Sequence, residues 1–257
     1  MIDVNVWLSR WPFRRLPDDE PEALVRRLRR LGVTEAWAGS LDALLHRDFA
    51  AVNARLVETC RAHGAGLLRP FGAINPLLPD WREDLRRCHE SHQMPGIRLH
   101  PNYHGYALDH PAFAGLLGEA ARRGLIVQIA LKMEDERTLH PLLKDLPTTD
   151  PAPLAGLLAH PLRPSVVLLN ALGNLRGQPL KRLLTVPGIW SDIAMLEGAA
   201  GLARLVAQVG PDRLLFGSHA PFYYAEAAHL KLKESVLTPE QAEAIRQGNA
   251  RRLERRT

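Results

Sequence analysis

Eight short apolar runs recur along this 257-residue chain, and each is followed by a segment with helical spacing. The runs span 2–7, 33–38, 67–73, 96–100, 125–130, 165–169, 188–194 and 213–217. Several, such as Val166-Val167-Leu168-Leu169, are apolar at successive positions, as strands buried on both faces are. The intervening segments 19–31, 41–63, 80–92, 111–123, 152–160, 176–185, 198–209 and 221–234 have helical spacing or composition. Leu24, Leu28 and Leu31, at i, i+4 and i+7, are one example. Asp80, Asp109 and Asp150 stand where N-caps are expected, and Gly32, Gly64 and Gly124 close helices before the next strand. Strict strand–helix alternation requires a parallel sheet, and eight units close it. The predicted fold class is α/β: a single (β/α)8 TIM barrel over 1–257, with an extra C-terminal helix from Pro239 to about Arg252.

Composition bounds the function classes. Hydrophobic residues make up 46% and charged residues 24%, the proportions of an ordinary globular protein. No apolar run approaches the ~20 residues that span a bilayer, so no membrane partner is expected. Strand-like sequence starts at Ile2 with no signal-peptide pattern. Cys60 and Cys88 are the only cysteines, spaced for neither a disulfide framework nor a metal finger, and read as thiols in a reducing cytoplasm. The net charge of +5 comes from Arg groups: Arg26-Arg27 with Arg29-Arg30, Arg86-Arg87, Arg122-Arg123, and Arg251-Arg252 with Arg255-Arg256. Each alternates with Leu or Glu on a predicted helix, as a solvated face does, so no nucleic-acid partner is expected.

Several strand ends carry a family signature. The first strand reads Ile2-Asp3-Val4-Asn5-Val6-Trp7, and the last reads Leu215-Phe216-Gly217-Ser218-His219-Ala220-Pro221. Between them lie Gly96-Ile97-Arg98-Leu99-His100-Pro101, Val127-Gln128-Ile129-Ala130 and Val167-Leu168-Leu169-Asn170-Ala171-Leu172-Gly173, with Asn249-Ala250-Arg251-Arg252-Leu253 closing the chain. In this order the pieces resemble the amidohydrolase-related (amidohydrolase 2 type) metal-dependent hydrolases along the whole chain. That resemblance implies Ile-Asp-x-His-x-His in the first strand and Leu-Phe-Gly-Ser/Thr-Asp-x-Pro in the last. Here Asn5 and Trp7 stand in the His slots, Ala130 and Asn170 in the later His slots, and His219 in the Asp slot. A hydrolytic zinc site needs about three His, Cys or carboxylate ligands, so no metal and no other cofactor is expected. A divalent-metal site rebuilt from His100, His104 or His219 with Asp192 or Glu197 is the unfavoured alternative, because no ligand-spaced pair stands out.

Candidate site residues follow from the rule that barrel chemistry sits at the C-terminal strand ends. His219, His100 and Asp192 are the expected catalytic groups, with an imidazole as general base on water. Arg98, Asn5, Asn170 and Lys132 are expected to position substrate and stabilise an oxyanion. Tyr103, His104, Gln128, Glu134, Glu197 and Tyr223 complete the substrate-binding set. The duller readings are a hydrogen-bonded packing role for His100, loop ordering for His104 and the tyrosines, and a solvated acidic run at 134–136. His140 stands where it can swing over the mouth.

The leading expectation is a small-molecule hydrolase acting on a lactone, ester or amide carbonyl without the usual metal. The alternatives are a decarboxylase-type lyase of the same superfamily and a non-catalytic ligand-binding barrel. The partner is a small molecule, and the resemblance also allows a homo-oligomer. The discriminator is whether Arg98, His100, Asp192 and His219 converge on one pocket, or instead point outward or are plugged by Trp7 and Trp11.

Overall fold

The computed structural model describes residues 1–198 and 200–255. Position 199 of the predicted 198–209 helix and Arg256 of the last Arg group therefore lie outside the described residues. The strands are β1 (Ile2–Leu8), β2 (Glu35–Ser40), β3 (Leu68–Pro70), β4 (Gly72–Ala73), β5 (Gly96–Leu99), β6 (Ile126–Ala130), β7 (Val166–Leu169), β8 (Ile189–Asp192) and β9 (Leu214–Leu215). β3 and β4 are two ends of one stave, interrupted at Phe71, whose N–H bonds the Ala38 carbonyl at 2.8 Å. Neighbouring staves pair in parallel from β1 to β3 and from β4 to β9. The seam closes where Val4 N–H reaches the Phe216 carbonyl, Trp7 N–H the Ala220 carbonyl and His219 N–H the Asn5 carbonyl, at 2.8–2.9 Å. The result is the predicted α/β TIM barrel.

The helices are α1 (Pro21–Arg30), α2 (Phe49–His63), α3 (Trp81–Arg86), α4 (Pro101–His104), α5 (Pro111–Arg122), α6 (Leu154–Leu157), α7 (Gly177–Thr185), α8 (Gly201–Val209), α9 (Ala225–Glu234), α10 (Pro239–Glu243) and α11 (Asn249–Glu254). Three expectations need correction. The segment 41–63 opens with a separate 3₁₀ turn, and α2 starts only after Asp48, whose carboxylate caps Ala51 N–H at 3.0 Å. The 152–160 helix shrinks to α6, because Pro153 stands at its start and Pro161 and Pro164 follow closely. The cap of α5 is His110, accepting from Ala112 N–H, and not Asp109.

Two apolar layers result. Val4, Trp37, Phe71, Ile126, Val167, Trp190 and Leu215 fill the barrel interior, while Val6, Ala36, Ile97, Val127 and Leu168 face the helical jacket. α10 and α11 dock where the strands begin: Ala250 and Leu253 join the interior cluster, and the Asn249 amide donates to the Pro211 and Leu214 carbonyls at 2.8 and 2.7 Å. On the jacket, Arg86 and Arg87 bond Glu83, and Arg122 and Arg123 bond Glu119, as solvated helix faces do. Cys60 and Cys88 are free and buried, and burial pushes both thiols up to about 12. Among the described residues, no helix is long and apolar enough to cross a membrane.

The close approach of β5 to its neighbours is testable. A Cβ at Gly96 would collide with the Ile126 carbonyl oxygen and the Phe71 ring. Gly96→Ala is expected to lower stability by about 1–3 kcal/mol, measured by urea unfolding.

Candidate active site

A bulge in β1 builds the mouth. Asp3 pairs with Ala36 and Val6 with Ala38, so Val4 and Asn5 together oppose Trp37. This one-residue slip lets Val4 stay in the apolar interior while Asn5 and Trp7 also turn inward, nearer the strand ends. The carbonyls of Val4 and Val6, on either side of the slip, accept from Arg98.

Arg98 lies fully buried inside the barrel. Its Nε donates to Gln128 Oε1 at 2.7 Å, Nη1 to the Val6 carbonyl at 2.7 Å, and Nη2 to the Trp37 and Val4 carbonyls at 2.9 and 3.3 Å. Gln128 completes the set by donating to the Val4 carbonyl at 2.8 Å. The guanidinium stacks 4.4 Å from the centre of the Trp7 ring. Burial lowers its pKa to about 9. The expected carboxylate clamp therefore does not form: Arg98 spends its donors on the barrel backbone and Gln128.

Above it sits a second network. The Trp7 indole N–H is shared between Asn5 Oδ1 at 2.8 Å and His219 Nδ1 at 3.0 Å. The Asn5 amide donates to Asp192 Oδ2 at 2.6 Å and to Asn170 Oδ1 at 2.8 Å. Asn170 donates through its backbone to Asp192 Oδ1 at 3.0 Å and through its amide to the Lys132 carbonyl at 2.6 Å. His219 Nε2 meets the Met133 carbonyl at 2.6 Å. An indole N–H only donates and a carbonyl only accepts, so His219 is the neutral tautomer with its proton on Nε2. Its lone pair faces the Trp7 N–H, with the Asn170 amide 3.2 Å away. His219 and Asn170 both adopt left-handed backbone, at φ 59° and 61°, a conformation that His and Asn tolerate.

The electrostatics follow from burial. Desolvation raises Asp192 and Asp3 to about 6, against the bonds that Asn5 and Ser218 give them. Desolvation lowers His219 to about 3 and holds His100 well below its ordinary value. His100 lies across Trp7 from His219, 5.4 Å from the indole ring centre. Asn5, Trp7, Arg98, His100, Gln128, Asp192 and His219 are all sealed from solvent.

The seal comes from residues 9–19, which cross the mouth after β1. Trp11 packs edge-on to Phe13 and Phe222, Phe13 stacks on His140 at 4.6 Å, and Arg14 pairs with Glu134. Outside this cover, the remaining candidates line two rim cavities. One, of about 170 Å³, is bordered by Tyr103, Lys132 and Glu134. The other is a cleft of about 630 Å³ bordered by Arg14, Arg137, Glu197, Tyr223 and Lys231. His104 bonds the Ala43 carbonyl at 2.9 Å. The four groups of the discriminator thus gather at one mouth, but in a closed interior and not an open pocket. Sequence reasoning named Trp7 as a candidate plug, from a slot where the resemblance implies His, but assigned no roles to Arg14, Asp3 or Lys231.

A family model described as amidohydrolase matches residues 8–255. The chain belongs to the amidohydrolase family. No curated protein matches it. Among solved structures, 2,6-dihydroxybenzoate decarboxylase in complex with 2,6-dihydroxybenzoate is similar at 16% identity and TM-score 0.70, covering 99% of this chain and 97% of that one. The 5-carboxyvanillate decarboxylase of Sphingomonas paucimobilis is similar at 13% identity and TM-score 0.72, covering 100% and 99%. An uncharacterised TIM-barrel protein of Bordetella bronchiseptica gives 15% identity and TM-score 0.73, covering 100% and 98%.

The residues of this amidohydrolase-family barrel do not fit the metal that its resemblance implies. The mouth presents the N–H of Trp7 and the amide of Asn5, which are hydrogen-bond donors and not ligands. Both Asp192 oxygens accept hydrogen bonds, and the His219 lone pair points at an N–H. Among the described residues, no group of three or more His, Cys, Asp or Glu is placed to hold a metal ion.

Two outcomes are expected. Trp7→Phe leaves the Asn5 carbonyl oxygen without its indole donor and should cost about 1–3 kcal/mol in urea unfolding. His219 has a folded pKa of about 3 against an unfolded value near 6.5, so its contribution to stability is complete above pH ~6.5 and is lost as pH falls towards 3. Asp3 and Asp192, raised to about 6, act oppositely between pH ~4 and 6. In His219→Asn, the number of protons taken up on unfolding at pH ~5 should therefore drop by about one, read from the pH dependence of the unfolding midpoint.

Proposed function

We propose that this amidohydrolase-family barrel is a non-catalytic small-molecule-binding protein that has replaced its reaction centre with a hydrogen-bonded plug. The observation that carries this reading is the Trp7 indole, fixed between Asn5 and His219 above a buried Arg98. A hydrolase needs a lone pair facing water and donors facing an oxyanion. Here the His219 lone pair and the Arg98, Asn5 and Asn170 donors are spent within the protein, and His100, whose ring nitrogens are unpartnered, is sealed from bulk solvent.

Binding is left to the rim. In the larger cleft, Lys231 is mostly buried, has donors on the Ile193 and Ala194 carbonyls, and pairs with no carboxylate among the described residues. Burial lowers its pKa. Arg14 and Arg137 beside it are held by Glu134 and Asp135, so Lys231 is the cation that would meet a ligand, and with Phe222 and Tyr223 as aromatic walls the cleft suits a small planar anion. Such a protein, with two free buried thiols, suits a reducing cytoplasm.

A second reading, a decarboxylase-type lyase, is favoured by the fold likeness to aromatic-acid decarboxylases. The two readings part in one experiment. Calorimetric titration with 2,6-dihydroxybenzoate and 5-carboxyvanillate is paired with assays of CO2 release, and a lactone and ester panel is assayed for hydrolysis. The expected result is saturable binding of an aromatic acid without turnover, weakened about tenfold (about 1.4 kcal/mol) in Lys231→Met. CO2 release above the uncatalysed rate would establish the lyase, and lactone opening would restore the hydrolase.

A further inference from the structure

The turn after β5 holds buried polar atoms that the plug does not use. His100 is completely buried, and neither ring nitrogen has a hydrogen-bond partner within the protein. His104, one turn of α4 later, sets its ring edge-on to His100 at 5.6 Å between centres. Its Nε2 bonds the Ala43 carbonyl at 2.9 Å, so that nitrogen carries the proton and Nδ1 is a bare acceptor, buried and unpartnered in the protein. The Tyr106 hydroxyl, on the same turn, is likewise buried without a protein partner. A native interior seldom leaves such groups unsatisfied.

The chemistry of the pair selects what satisfies them. Burial, the neighbouring imidazole and Arg98 all disfavour a charge on His100, so both rings are neutral. Two neutral imidazoles with His104 Nε2 engaged offer one N–H and two lone pairs. A carboxylate, which only accepts, would meet the single N–H and leave both lone pairs bare. A metal ion would have two ligands and no carboxylate among the described residues, with the Arg98 charge nearby to oppose it. A hydroxyl group both donates and accepts, and so bridges the N–H of one ring and the lone pair of another. We propose that the corner between Trp7, His100 and His104 is a binding site for one buried hydroxyl group, that of a resident water or of a small neutral alcohol.

The test uses the wild-type protein labelled with ¹⁵N, observed at the His100 and His104 ring nitrogens, alone and during titration with ethane-1,2-diol. A cross-peak between water and the His100 N–H assigns the hydroxyl to a resident water. A saturable shift of the His100 and His104 signals on titration assigns it to an alcohol. Absence of both overturns the proposal. His100→Phe supplies a second reading. If the nitrogens hold a hydroxyl, this apolar ring of similar shape should lower Tm by about 2–4 °C for each hydrogen bond lost. An unchanged or higher Tm would mean that the imidazole was an unsatisfied burden, and would also overturn the site.

Discussion

A guanidinium buried at the centre of a barrel must be neutralised or fully bonded, and the mouth of this protein is organised around meeting that demand for Arg98. Among the described residues no carboxylate touches it; its donors go to the Gln128 amide and to the backbone carbonyls of Val4, Val6 and Trp37. A backbone carbonyl has two lone pairs and can accept a second donor, and two of these three flank the β1 bulge opposite Trp37. Gly39 belongs to the same requirement, since a Cβ there would meet Arg98 Cδ and Nη1 at 2.7 Å. The charge is balanced at longer range by Asp192 and Asp3, both raised to about 6 by the same burial.

Trp7 is the roof over that charge. Its ring offers Arg98 a π-face, and its N–H ties Asn5 to His219, so β1, β7, β8 and the end of the β9 stave are cross-linked through one side chain and its neighbours. The amidohydrolase family places its chemistry at this end of the barrel; here the same positions hold amides, an indole and a locked imidazole. Each substitution makes sense only beside the others. Asn5 supplies the carbonyl that the indole needs, and Asn170 anchors the carboxylate that accepts from Asn5. On the proposed reading, the fold is retained while its site is turned into structure.

The cover formed by residues 9–19 separates two environments. Below it, imidazoles and carboxylates titrate far from their ordinary values because water is excluded. Above it, on the rim, Arg137 and Glu136 remain solvated, while Lys231 and Glu134 are drawn inward.

The sequence by itself determined the barrel. Eight apolar runs recurred, and their order carried the family pattern, because strands buried on both faces leave continuous apolar text and helices leave a period. It also located Asn5, Trp7, Asn170 and His219 at the mouth, since strand ends are legible. What only the tertiary structure decided was whom these groups face. The β1 bulge is a one-residue slip with no signature in composition, yet it turns Asn5 and Trp7 inward together, beside the carbonyls that bind Arg98. The Arg14–Glu134 pair joins residues 120 apart in sequence, and Trp7 meets His219 across 212. Spacing along a chain does not encode such contacts; they arise when the barrel closes and each buried polar atom must find a partner.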